Sequence, residues 1–386
     1  MTAADPHIHW TQADGSPDSA LWRSEAGVPV PQRVRLIDDT MSADLAYKLA
    51  CEGTALLWQG DFQNARHLLQ ALTRRLDRQP RSAKGPSKDQ ASADTPVAQA
   101  FHKHRQVLAQ RARVLGMLLM PFEADHTIPL RRAPVVQQAC LEAYGPGSEP
   151  YVASLRELLG LIGAHEWRKK GVEIPALKGR IHAHYGVFSP VRGEYVGLVA
   201  KAPLPTDRSR AFDVGTGTGV LAAVLASRGM AQVIATDQDA RALDCARANM
   251  QRLKLGQQVS VVEADLFPPG VAPLVVCNPP WVPARPSSPI EYAVYDPDSR
   301  MLRGFLSGLR AHLAPGGEGW LILSDLAEHL GLRTREALEG WVAEGGLKVV
   351  GRLDARPRHP KVMDASDPLH KARAAEVTSL WRLAAL

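Results

Sequence analysis

Four cysteines among 386 residues, Cys51, Cys140, Cys245 and Cys277, stand far apart and form no CxxC pair. Neither a disulfide framework nor a zinc site is expected from them, and no other metal-ligand set stands out. Free, buried thiols are the expectation. Long apolar runs are equally scarce. The richest, such as Val114 to Met120, end after a few positions, short of the roughly 20 residues a membrane span needs. The opening residues MTAADPHIHW lack the basic start, apolar stretch and small-residue cleavage site of a secretory signal. A cytoplasmic protein with no membrane partner is therefore expected.

With 45% hydrophobic residues the chain can bury a sizeable core, and its length suggests two or three domains. Its formal charge of +6 is unevenly spread, with Lys and Arg in excess between Arg66 and Arg192. On one face, those charges attract a polyanion such as RNA; scattered, they are only a solvated surface.

Residues 1–42 carry scattered Pro, Gly and Asp without sustained periodicity and read as an irregular arm. Residues 43–180 read as a mainly helical domain. Apolar residues from Leu45 to Leu57, from Phe62 to Leu76, and within 98–120, 135–144 and 151–163 recur at helical spacing. The stretch 79–97 has almost no large apolar residue and reads as a flexible linker. From 181 to 386, strand-length apolar runs alternate with helical segments. That alternation predicts an α/β fold, a doubly wound, mainly parallel, seven-stranded sheet covered by helices on both faces.

Within this half, Phe212-Asp213-Val214-Gly215-Thr216-Gly217-Thr218-Gly219 lies where a strand gives way to a helix, the place where open α/β sheets bind ligands. Glycine lets the backbone turn sharply and approach a ligand closely. The spacing departs from the GxGxxG of dinucleotide folds, whose third glycine would fall at Val220. Asp237, about twenty residues on, is positioned to accept the hydroxyl hydrogens of a ribose. Asp265 follows the next strand, where a carboxylate can accept from an adenine amine while Leu266 or Phe267 packs on the ring. Asp213 itself points away from a pyrophosphate ligand and toward one bearing an ammonium.

Val275-Val276-Cys277-Asn278-Pro279-Pro280-Trp281 is the most specific string in the chain. An amide or exocyclic amine is a poor nucleophile because its lone pair is delocalised. The Asn278 carboxamide oxygen and the Pro279 carbonyl can accept its two hydrogens and stabilise the charge that develops on nitrogen. Pro279 and Pro280 stiffen the loop, and Trp281 offers a face for a planar substrate.

DVGTGTG, TDQD, ADLF and NPPW together resemble class I methyltransferases, and most closely the branch that includes the release-factor and ribosomal-protein glutamine N-methyltransferases, with Trp281 where tyrosine is usual. Val187 to Tyr195 is similar to the segment before the glycine turn in that branch. The resemblance covers about Tyr185 to Leu386. It implies that Asp213, Gly215, Thr216, Gly217, Gly219, Asp237, Asp265, Leu266 and Asn278 line the site of S-adenosyl-L-methionine, and that Asn278 to Trp281 serve the transfer. It also implies a terminal antiparallel hairpin. The implied acceptor is a planar nitrogen, with a protein glutamine amide (on a translation factor or ribosomal protein) slightly preferred, a nucleobase exocyclic amine in rRNA, tRNA or DNA the alternative, and a small molecule behind both. A nicotinamide-dependent oxidoreductase shares the sheet and the glycine turn but has no use for NPPW; a non-catalytic adaptor is a third reading.

Overall fold

The computed structural model describes residues 6–77, 97–286, 289–357 and 367–386. They divide into two compact units, residues 1–95 with 103–166, and residues 96–102 with 167–386. Among the described residues, no helix is long and apolar enough to cross a membrane. All four cysteines are free.

In chain order the first unit contains β1 (His7–Thr11), β2 (Pro17–Trp22), β3 (Val34–Ile37), α1 (Ala43–Cys51), β4 (Ala55–Trp58), α2 (Phe62–Asp77), the body of α3 (Val97–Gly116), β5 (Leu118–Phe122), α4 (Gln137–Tyr144), β6 (Tyr151–Ser154) and most of α5 (Leu155–Lys170). Its strands form one mixed sheet in the order β1-β2-β6-β5-β4-β3.

This corrects two expectations. Residues 1–42 are not an irregular arm, because they supply three strands; each is too short for its alternation to stand out, as in β1, where Ile8 alone is fully buried. Residues 43–180 are not simply helical either. Ala55–Trp58 is buried throughout, and a short wholly apolar run has no period to distinguish strand from helix. Gly53, at φ +80°, ends α1 and turns the chain into β4. Leu118–Phe122 begins one residue after α3 and Tyr151–Ser154 runs straight into α5, so the helical pattern absorbs them. The linker expected over 79–97 lies outside the described residues up to 96, and Val97 already opens α3.

The second unit contains β7 (Val172–Ile174), β8 (Gly179–Ile181), α6 (Glu194–Lys201), β9 (Arg210–Val214), α7 (Val220–Ser227), β10 (Gln232–Asp237), α8 (Ala240–Arg252), β11 (Val259–Glu263), β12 (Ala272–Cys277), α9 (Arg300–His312), β13 (Leu313–Ser324), α10 (Leu326–His329), α11 (Arg335–Glu344), β14 (Leu347–Ala355), α12 (His370–Ala375) and β15 (Thr378–Ala385). It begins before residue 181, because Ile174 and Ile181 of the small β7–β8 hairpin are buried in the core with α6 and α7.

Seven strands form its sheet, in the order β11-β10-β9-β12-β13-β15-β14. All neighbours are parallel except β15, which runs antiparallel to β13 and β14 and closes the expected hairpin. Every residue of β12 is buried, as a central strand covered on both faces requires. One core cluster joins α6 and α7 to one face of the sheet, and another packs α9 and α11 on the opposite face. The chain leaves β9 toward β10 and β11, then returns to place β12 on β9's other side. The strand order reverses there, and crevices open at such a switch point beyond the carboxyl ends of the strands.

Candidate active site

The register fixes what faces that crevice. Val214 pairs with Thr236 on one side and Cys277 on the other, so Gly215, Asp237 and Asn278 each lie one residue past a paired position. Gly215, Gly217 and Gly219 all adopt positive φ, +71°, +55° and +80°. They differ in surroundings. A methyl at Gly219 would sit 3.3 Å from the Ala246 backbone, whereas one at Gly217 would meet nothing within 4 Å. Gly219 lets α8 pack against the turn; Gly217 faces open space.

Two carboxylates hold the turn. Asp213 is 1% exposed, and its Oδ2 accepts from the Thr216 hydroxyl at 2.6 Å and from the Ala222 amide at 2.9 Å, tying the loop to the first turn of α7. Burial pushes its carboxyl up to about 6, with the nearby Asp237 charge adding to the effect. Asp237 is half-buried; its two oxygens accept from the Gly217 and Asp239 amides at 2.9 and 3.1 Å, and burial raises its pKa as well. The Thr216 amide donates to the Thr236 carbonyl at 2.8 Å, completing a turn bonded to two strands.

On the other side of the switch point, Pro279 is buried while Asn278, Pro280 and Trp281 are half-buried. The Trp281 Nε1 donates to Asn278 Oδ1 at 2.9 Å. The following chain folds back, with Val282 bridged to Tyr295 and Asp296 accepting from the Met301 and Leu302 amides at the start of α9.

Residues 178–335 match the family model described as the methyltransferase small domain. The release factor glutamine methyltransferase of Deinococcus radiodurans is 35% identical over 160 residues, 38% of this chain and 56% of that protein. The ribosomal protein L11 methyltransferase of a Chelativorans species is 30% identical over 183 residues, 47% of this chain and 56% of that protein. The tRNA1(Val) (adenine(37)-N6)-methyltransferase of Shewanella loihica is 29% identical over 185 residues, 45% of this chain and 71% of that protein. The chain thus spans little more than half the length of the first two.

Within residues 178–335, Asp213, Gly215, Thr216, Gly217, Gly219, Asp237 and Asn278 all lie at or just past the carboxyl ends of β9, β10 and β12, with Asp213 buried and Gly219 packed against α8. Asp265 and Leu266 lie on the loop after β11. The Asp265 side chain is largely exposed and pairs with Arg300 Nη2 at 3.1 Å. Leu266, at φ +75°, offers its carbonyl to the Thr236 hydroxyl at 2.5 Å. Phe267 is turned away, its ring stacked on His312 and Phe305 beneath α9, and the Leu266 side chain packs on the same core cluster, with its Cδ1 close to Gly304 of α9.

Three supporting residues had no role assigned from the sequence, Thr236 although it opens TDQD, Asn249 and Arg333 outside any motif. Thr236, fully buried, links the glycine turn to the Leu266 loop. Asn249, also fully buried, donates to the Thr218 and His182 carbonyls and accepts from the His182 amide, so α8 anchors both the glycine turn and the segment preceding α6. Arg333, 6% exposed, reaches the carbonyls of Trp281 and Ser324 at 3.4 Å each. A polar residue on the buried face of α8 was a legible signal for Asn249; the other two acquire their meaning only from residues far away in sequence.

Proposed function

We propose that this protein is an S-adenosyl-L-methionine-dependent N-methyltransferase acting on a planar nitrogen of a macromolecule, with a protein glutamine amide favoured. The observation that carries the reading is the register at the switch point, with Asn278 one residue past β12 and beside the glycine turn that ends β9.

The turn suits the donor. Gly217 leaves room for close approach, and Asp237 keeps lone pairs beyond its two amide bonds for ribose hydroxyls. Asp213 provides negative charge near an ammonium through the bonded turn rather than by contact, being buried. When bound, S-adenosyl-L-methionine supplies a methyl group on a sulfonium, already activated for displacement.

The chain's own residues orient the acceptor. Asn278 Oδ1 and the Pro279 carbonyl accept the two N–H hydrogens, hold the lone pair in line and stabilise the positive charge on nitrogen as the new C–N bond forms. Water takes the proton after transfer, so no side-chain base is needed. Cys277, the neighbouring titratable group, is fully buried with its thiol pushed far up by burial, unsuited to that task.

The likeness to release factor and ribosomal protein L11 methyltransferases supports a protein acceptor. A nucleobase amine is the second reading, supported by the likeness to a tRNA adenine methyltransferase and by the basic excess between Arg66 and Arg192. Incubation with methyl-labelled donor and, in separate reactions, purified release factor, ribosomal protein L11 and total tRNA tests it. Label on release-factor glutamine is expected. Label on tRNA alone would move the acceptor to nucleic acid, and no label in any reaction would overturn the proposal.

A further inference from the structure

The NPPW loop contains a hydrogen bond that substrate stacking does not explain. Trp281 Nε1 donates to Asn278 Oδ1 at 2.9 Å. The indole is half-buried and packs against both faces' core clusters and against the cluster containing Val282, Leu330 and Leu369. Its own carbonyl accepts from Arg333 Nη1 at 3.4 Å, while Arg333 Nη2 reaches the Ser324 carbonyl at the end of β13. The ring is thereby fixed from its packing and from its main chain.

A primary carboxamide has two nearly isosteric orientations that exchange its oxygen and its NH2. Only one is useful for holding an acceptor N–H; the other sets donor against donor. An indole N–H donates and cannot accept, so it selects the oxygen without ambiguity, whereas a phenol hydroxyl can bond to either end. The carbonyl oxygen has two lone pairs, so one remains for the acceptor.

We propose that Trp281 is a positioning residue whose indole N–H locks the Asn278 carboxamide with its oxygen toward the acceptor, and that Arg333 holds Trp281 in place from beneath. The inference rests on the N-methyltransferase reading above and assigns Trp281 a role other than a stacking face.

Two measurements test it. In protein labelled with 15N-tryptophan, the indole resonance absent from Trp281→Phe must shift in Asn278→Ala; if it stays put, the contact is absent and the proposal fails, whatever the acceptor. With release factor as acceptor, Trp281→Phe is expected to lower kcat roughly tenfold, the loss of about one hydrogen bond's worth of orientation. Its KM and its affinity for S-adenosylhomocysteine should stay within about twofold of wild type. In an Asn278→Asp background both carboxylate oxygens accept, so Trp281→Phe should cost no further rate. Full kcat in Trp281→Phe, or an equal loss in both backgrounds, overturns the proposal. If the resonance shifts but wild-type protein methylates nothing, the carboxamide lock stands and the transferase reading falls.

Discussion

Gly217 donates its amide hydrogen to Asp237 Oδ2 at 2.9 Å, so the carboxylate that ends β10 is held against the turn that ends β9. The two residues are twenty positions apart and become neighbours because β9 and β10 are paired in parallel. A turn held from the adjacent strand is organised before any ligand arrives, which lowers the entropy lost on binding.

Removing that carboxylate should weaken donor binding. Asp237→Ala is expected to raise the dissociation constant for S-adenosylhomocysteine by about tenfold or more, since charge-assisted bonds contribute roughly 1.5–3 kcal/mol each. Calorimetric titration checks this, and unchanged affinity removes Asp237 from the ribose site.

Asn278→Ala separates the two halves of the site. Donor affinity should stay close to wild type while methyl transfer falls by about a hundredfold or more, the scale seen when a preorganised polar contact to a transition state is lost. Activity surviving within about tenfold, a barrier change of only about 1.4 kcal/mol, would exclude Asn278 from holding the acceptor.

The glycines divide by environment. Gly219→Ala must place a methyl 2.9 Å from the Met250 Cε and 3.3 Å from the Ala246 backbone, on top of an unfavourable φ. It should destabilise the fold by about 2–4 kcal/mol, combining left-handed strain with overpacking. Gly217→Ala has the same strain but open space, so its melting temperature should fall less while its donor affinity falls more. Thermal melts paired with S-adenosylhomocysteine titrations of both variants decide the matter.

Asp213 ties stability to pH. Burial raises its folded carboxyl from 3.8 to about 6, so in that interval the folded protein keeps a proton that the unfolded chain has released. Its stabilising contribution is therefore full below 3.8 and is lost as pH rises through about 6. Asp213→Asn, which keeps an acceptor for Thr216 and Ala222 without the charge, should gain in melting temperature relative to wild type between pH 4 and pH 7. Affinity for the ammonium-bearing donor should run the other way in wild type, tightening as Asp213 ionises, with a flatter profile in the variant.

Much of the second unit was legible because its elements are signalled locally. The runs from Ala211 to Val214 and from Leu274 to Cys277, the glycines at 215, 217 and 219 and the NPPW string each depend on neighbours a few residues away, and each lies where it was expected. The sheet of the first unit was not legible. Its strands are short, and Ala55–Trp58 is wholly buried, so nothing in the run distinguishes it from the helix before it.

The sequence by itself determined the turn, the stiff loop and the residue types able to hold a sulfonium donor and a planar nitrogen, since backbone freedom, ring closure and lone pairs belong to individual residues. Tertiary structure alone decided their use. Strand register brought Asp237 to Gly217, core packing turned Phe267 away beneath α9, and a buried Arg333 reaches the Trp281 carbonyl while the Trp281 indole donates to the Asn278 carboxamide oxygen. Those outcomes depend on pairings and packing between distant segments, which no local pattern encodes.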